Sequence, residues 1–216
     1  GRIMQTIRTA GVDQNTMVWF LSDNGGVKSI RGNNSPLKGG KLTSFDGGVR
    51  AVACVRYPGV YQGGIKLTEP MAFIDVMPTV LALSGASAES LGCKTIDGID
   101  LNPLLMGKVE SLPTRDLYFY HGQQGEDSET MAINSSPWKL LVNGPSLAKG
   151  HSEKLKVSLF KLAEDPYEER EVSNKHPKIV AQLMKKLVAF RKLQPADAVP
   201  PYKEGGKGFR APKDWK

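Results

Sequence analysis

The sequence predicts an α/β fold that passes into a small α+β unit, and three observations predict it. An apolar run, Thr16-Met17-Val18-Trp19-Phe20-Leu21, ends in the polar, glycine-rich stretch Ser22-Asp23-Asn24-Gly25-Gly26. Short apolar segments between residues 117 and 162 are separated by turn-rich stretches. An amphipathic segment follows, and then a tail rich in Pro, Gly and Lys. The division expected is residues 1–111, 112–193 and 194–216.

Ile3, Met4, Ile7 and Arg8 recur at helical spacing up to Ala10-Gly11, where glycine closes the segment. The run ending at Leu21 is rich in β-branched and aromatic residues, as in a strand buried on both faces of a parallel sheet. Helix, short loop, buried strand and then a polar loop is an α/β order, in which ligands bind beyond the carboxyl ends of strands. Val49 to Val55 reads as a second buried strand, ended by Pro58-Gly59, with Cys54 in its apolar run and so in the core. Ile74 to Gly85 reads as a short helix with Pro78 in its first turn and Gly85 just past its end. Leu117–His121, Met131–Asn134, Trp138–Val142 and Val157–Leu162 read as an antiparallel sheet. A helix from Pro177 to Lys192 carries Ile179, Val180, Leu183, Leu187 and Phe190 on one face, which lies on that sheet.

With 216 residues, 40% of them hydrophobic, the chain is long enough to bury a core. No run approaches the roughly 20 apolar residues of a membrane span, so no membrane partner is expected. Net charge is +7, with Lys203, Lys207, Lys213 and Lys216 crowding the C-terminal tail. No nucleic-acid module accompanies them, and the tail reads as a solvated basic segment. Cys54 and Cys93 lack the spacing of a zinc site or a disulfide framework. Gly1-Arg2-Ile3-Met4 reads as helix interior, so the chain is expected to begin within a longer protein.

The chemistry concentrates in residues 23–50. Asp23 and Asn24 offer a carboxylate and a carboxamide side by side, two hard oxygen donors for a divalent cation. Taken alone, Asp-Asn-Gly-Gly is also an ordinary turn signal. Lys41, after Gly39-Gly40, presents an ammonium suited to a tetrahedral oxyanion, although Lys38 and Lys41 read singly are solvated loop lysines. Arg50 reads as a buried structural guanidinium paired with Asp46 or another carboxylate. His121, at a strand end, reads either as a hydrogen-bonded structural histidine or as a residue lining a substrate pocket.

Ser22-Asp23-Asn24-Gly25-Gly26, then Asn33-Asn34-Ser35-Pro36-Leu37-Lys38-Gly39-Gly40-Lys41, then Phe45-Asp46-Gly47-Gly48-Val49-Arg50, resembles the second half of the catalytic domain of arylsulfatase-type sulfatases in the alkaline phosphatase superfamily. Further blocks continue in family order: Asp75 with Pro78-Thr79, Asp97-Gly98-Ile99-Asp100, Arg115-Asp116-Leu117-Tyr118, Trp138-Lys139-Leu140, and Leu159-Phe160-Lys161-Leu162 with Asp165-Pro166 and Glu168. The resemblance implies the C-terminal part of an alkaline-phosphatase-like α/β catalytic domain, followed by a small α+β domain of antiparallel sheet plus one helix. It implies that Asp23 and Asn24 are metal ligands, usually for calcium (Ca2+), and that Lys41 contacts the sulfate.

The family nucleophile is a formylglycine made from Cys or Ser in a motif with Pro or Ala two residues on and Arg four residues on. Cys54 is followed by Val55-Arg56-Tyr57 and Cys93 by Lys94-Thr95-Ile96, so neither carries it. Formylglycine is therefore expected outside this chain, which is expected to be inactive alone and to bind calcium weakly. The partners implied are a sulfated small molecule or carbohydrate and the N-terminal part of the catalytic domain, in a periplasmic or secreted setting. Two other readings stand beside this one: a portion of a phosphate or phosphonate ester hydrolase of the same superfamily, and a non-catalytic fragment that associates with a separate N-terminal chain.

Overall fold

A computed structural model of the chain describes residues 1–87, 92, 95–150 and 152–194. Cys93, His151 and the tail from residue 195 lie outside the described residues. Two compact units form: Gly1–Ser22 with Val52–Thr114, and Asp23–Ala51 with Arg115–Lys216.

In the first unit, helix α1 (Arg2–Thr9) ends at Gly11, whose positive φ reverses the chain toward strand β1 (Val18–Leu21). Strand β1 pairs with β2 (Ala53–Arg56) in an antiparallel register, Val18 opposite Arg56 and Leu21 opposite Ala53. This corrects the parallel, doubly buried reading of the two segments. The chain leaves Leu21 through a long loop and re-enters at Val52, whose carbonyl accepts from Ser22 N at 2.9 Å, so the second strand runs back along the first. Phe20 is 64% exposed and Cys54 is exposed too, so Cys54 is no core residue here. Arg56 clamps Asp13 with paired bonds of 2.8 and 2.7 Å, tying the turn after α1 to β2.

Helix α3 (Val76–Ser84), numbered after the four-residue turn α2 (Asp46–Val49) of the other unit, ends at Gly85 with φ of 72°. Its start is anchored by Asp75, fully buried, whose carboxylate accepts from Ala72 N at 2.7 Å and Ile99 N at 3.1 Å. The Thr79 hydroxyl accepts from Leu101 N at 2.9 Å, and Asn102, in the short helix α4 (Asn102–Leu105), donates to the Thr79 carbonyl. The Asp75–Thr79 and Ile99–Asn102 segments therefore hold one another through side-chain-to-backbone hydrogen bonds.

The second unit is built on a four-stranded antiparallel sheet, β3 (Asp116–His121), β4 (Glu129–Ser135), β5 (Trp138–Gly144) and β6 (Lys156–Lys161), in sequential order. Alternation divides its side chains. Met131, Ile133, Leu140, Val142 and Leu159 face helix α5 (Pro177–Arg191) and enclose Leu183 and Leu187, the apolar face the sequence predicts. Alanine in place of Leu187 would remove a fully buried side chain, a change worth about 2–5 kcal/mol. Lys139, Leu141 and Phe160 point to the opposite face, with Lys139 directly across from Phe160.

Two carboxylates make this unit acid-sensitive. Burial raises the Asp116 carboxyl, but hydrogen bonds from Lys186, 2.7 Å away, and Ser135 outweigh it and hold it below the usual range. Burial likewise raises Glu171, and the N–H groups of Leu159 at 3.0 Å and Ser173 at 2.6 Å outweigh it. Both groups bind protons less readily folded than unfolded. The stability they contribute is present above ordinary carboxylate values of about 3.9–4.3 and is lost as pH falls through their depressed folded values. Urea midpoints of the chain are expected to stay level down to about pH 5 and to drop below about pH 4, with D116N making that drop shallower.

Candidate functional site

The segment from Asp23 to Arg50 closes on itself through its own backbone. Gly25 N donates to the Gly48 carbonyl at 2.8 Å, Gly47 N to the Lys38 carbonyl at 2.7 Å, and Lys41 N to the Gly26 carbonyl at 3.3 Å. Lys41 is thus rooted beside the turn that carries Asp23 and Asn24. Asn34, to which the sequence reading assigned no role, fastens that turn: its amide accepts from Gly26 N at 2.7 Å and donates to the carbonyls of Gly26 at 2.9 Å and Gly39 at 3.2 Å. An Asn in a glycine-rich loop was the available signal, since its short amide competes well for backbone groups.

The crossings need glycine. A Cβ on Gly25 would lie 1.8 Å from the Gly47 oxygen, and one on Gly48 would lie 2.2 Å from the Thr43 oxygen. Gly25→Ala is expected to cost about 1–3 kcal/mol or more in urea denaturation, because the obstacle is backbone and has no rotamer to change.

Below this loop lies the far face of the sheet. Lys139, fully buried on β5, places Nζ 2.6 Å from Asp46 Oδ1 and 2.7 Å from Glu168 Oε1, the latter an ion-pair contact rather than an aligned hydrogen bond. Glu168 Oε2 accepts from Asp46 N at 2.7 Å. Burial pushes the Glu168 carboxyl up, with the Lys139 charge opposing it. Glu168 sits at φ of 57° in a turn held by Asp165, whose carboxylate accepts from Glu169 N and Arg170 N at 3.0 and 2.8 Å. Phe45 packs edge-on against Phe160 at 6.1 Å between centroids.

Two assignments change. Lys38 is no freely solvated lysine, since its ammonium donates to the Glu168 carbonyl at 2.9 Å and lies 4.7 Å from the Phe45 ring centre and 5.3 Å from that of Phe160. Arg50 is no buried partner of Asp46, because its side chain is 62% exposed and 3.8 Å from that carboxylate, a distance at which solvent screens the attraction. Asp46 has the closer ammonium of Lys139 instead. The expected strand from Val49 likewise starts later, at Ala53, because residues 46–49 form the α2 turn.

Asp23 and Lys41 are exposed and Asn24 is half-buried, its Nδ2 donating to the Gly25 carbonyl at 2.9 Å. His121 is half-buried at the end of β3, its Nε2 3.3 Å from Gln123 Oε1 in the following turn. Among the described residues no group of three or more His, Cys, Asp or Glu is arranged to hold a metal. What the loop offers is two oxygen donors and an ammonium above a buried, charge-paired base.

A family model described as Sulfatase matches residues 1–86. Steryl-sulfatase of Rattus norvegicus is 37% identical over 128 residues, 56% of this chain and 22% of that protein. Arylsulfatase A of Bos taurus is 35% identical over 143 residues, 64% of this chain and 27% of that protein. The chain thus spans about a quarter of the length of these relatives. The crystal structure of Ps i-CgsB in complex with k-i-k-neocarrahexaose matches with a TM-score of 0.76 at 23% identity, over 96% of this chain and 43% of that one. At that identity the likeness is one of fold, the alkaline-phosphatase-like α/β fold with its mixed helices and antiparallel sheet.

Proposed function

We propose that this chain, whose residues 1–86 match the Sulfatase family model, is the C-terminal portion of a sulfuric ester hydrolase, one that converts a sulfate ester to an alcohol and inorganic sulfate. The observation that carries the reading is the loop closure that roots Lys41 against the Asp23–Gly26 turn through the Gly26 carbonyl. In this reading Lys41 is the sulfate contact, its ammonium neutralising charge that builds on the sulfuryl oxygens as the ester bond breaks. His121 lines the substrate pocket. The substrate class is a sulfated small molecule or carbohydrate, and relatives named steryl-sulfatase and arylsulfatase A favour sulfate over phosphate.

Asp23 and Asn24 suit a calcium ion as part of its shell. The Asn24 Nδ2 donates to the Gly25 carbonyl, which supports the oxygen end as the ligand, and Asp23 adds an exposed carboxylate. When bound, such a cation supplies charge neutralisation at the sulfate. Tight calcium sites gather six to eight oxygens, so two ligands hold the ion weakly. Neither cysteine has the formylglycine motif, and Ser111-Leu112-Pro113-Thr114-Arg115, which has its spacing, lies beyond the residues 1–86 that match the family model, so this reading takes the nucleophile segment from elsewhere in the protein. A periplasmic or secreted location goes with the family reading.

Two measurements test this. In a complete enzyme containing this segment, K41A is expected to lower kcat/KM toward an aryl sulfate by about 10²–10³-fold, the scale of removing one charge-stabilising donor; an unchanged kcat/KM would remove Lys41 from the site. The isolated chain is expected to show no aryl sulfate hydrolysis above background and calcium binding no tighter than millimolar by calorimetry. Turnover like that of a complete sulfatase would contradict the partial-site reading.

A further inference from the structure

We propose that Lys139 is the positioning residue of the Lys41 loop, acting from the far side of the sheet through Asp46 and Glu168; the role given to Lys41 rests on the function proposed above. Lys139 lies on a central strand, between β4 and β6, where ladder hydrogen bonds hold its backbone on both sides. Its ammonium has no solvent exposure and meets two carboxylates, one from the loop and one from the turn after β6. The same turn reaches the loop twice more, through Glu168 Oε2 to Asp46 N at 2.7 Å and through the Glu168 carbonyl to the Lys38 ammonium at 2.9 Å. The Lys38 carbonyl in turn accepts from Gly47 N, and Gly48 carries the carbonyl that receives Gly25 N. A chain of direct contacts therefore runs from the sheet to the turn bearing Asp23 and Asn24.

The charge arrangement explains why the cation must be at position 139. Asp46 and Glu168 share one backbone contact and repel each other unless a cation stands between them. Arg50 is too distant and too exposed to do this. Removing the ammonium leaves a fully buried Glu168 and a largely buried Asp46 without their counter-charge, and the loop, having no ladder of its own, is the part free to move away. Substituting a neutral side chain of similar length should therefore open the loop and spare the sheet.

The test is residue-resolved hydrogen exchange on the 216-residue chain. In K139M, exchange at the Gly26, Lys41 and Gly47 amides is expected to speed up on the order of 100-fold, with Leu140 and Leu187 amides far less affected. K139M/E168Q removes one negative charge along with the ammonium and keeps an oxygen for Asp46 N, so it should recover part of the loop protection. It also carries the test if K139M alone folds too poorly to follow. Wild-type loop protection in either variant would overturn the proposal, as would an equal loss of protection in sheet and loop. Titration of inorganic sulfate, followed at the Lys41 amide, separates the two readings. A sulfate response in the wild-type chain that weakens about tenfold in K139M supports positioning, and one unchanged in K139M counts against it. No wild-type response counts against the sulfate role of Lys41 and leaves the exchange result to decide on Lys139.

Discussion

An ammonium with no access to water has to be met by negative charge, and in this chain that requirement organises everything above the sheet. Desolvating Lys139 costs several kcal/mol, which only close, well-placed carboxylates return. Asp46 lies 93 residues earlier in the chain, and its oxygen is 2.6 Å away. Glu168 is brought in by a turn whose positive φ is held by the Asp165 carboxylate. Phe45 packs against Phe160, with the Lys38 ammonium over both rings. Asp46 and Glu168 converge on the Lys139 ammonium, while Phe160 keeps its place in the β6 ladder and the Asp165 carboxylate holds the Glu168 turn.

Elements specified by local pattern were readable from the sequence. The four strands and helix α5 follow period-two and helical spacing, and Gly85 marks the end of α3 by the conformation it adopts. The glycine-rich segment was readable as a candidate site because it joins a strand end to hard oxygen donors and lysines. Contacts between distant residues were not. Nothing local distinguishes Lys139, which must be buried, from Lys41, which is exposed. Both are lysines beside small or apolar neighbours. Arg50 looked like the partner of Asp46 because it is four residues away, yet a guanidinium on a single helical turn points to water. Cys54 and Phe20 have core composition and exposed positions, because the β1–β2 pair leaves much of its surface uncovered within the described chain.

The loop separates two electrostatic tasks that would conflict in one place. Its base is buried, with two carboxylates sharing one ammonium, so it is of little use to a ligand. Its rim carries Asp23 and Lys41 exposed, where charge is cheap to keep and available to a partner. Between them runs a layer of backbone hydrogen bonds with almost no side chains, in which Gly25, Gly47 and Gly48 approach other main-chain atoms more closely than any Cβ allows. Glycine is used here for proximity.

This layering also bears on where binding energy resides. In the reading proposed above, two oxygen donors are far from the six to eight of a strong calcium shell, so the segment is expected to hold little affinity for a cation by itself. It holds order instead, since the Asn34 amide, the glycine crossings and the Lys139 cluster fix the turn whether or not an ion is present. A ligand that arrives at a turn already fixed does not have to order it, and the entropy of ordering is one of the larger costs of binding. The strength of a completed site would then depend on ligands added from elsewhere in the protein, and its geometry on a lysine that never touches the ion.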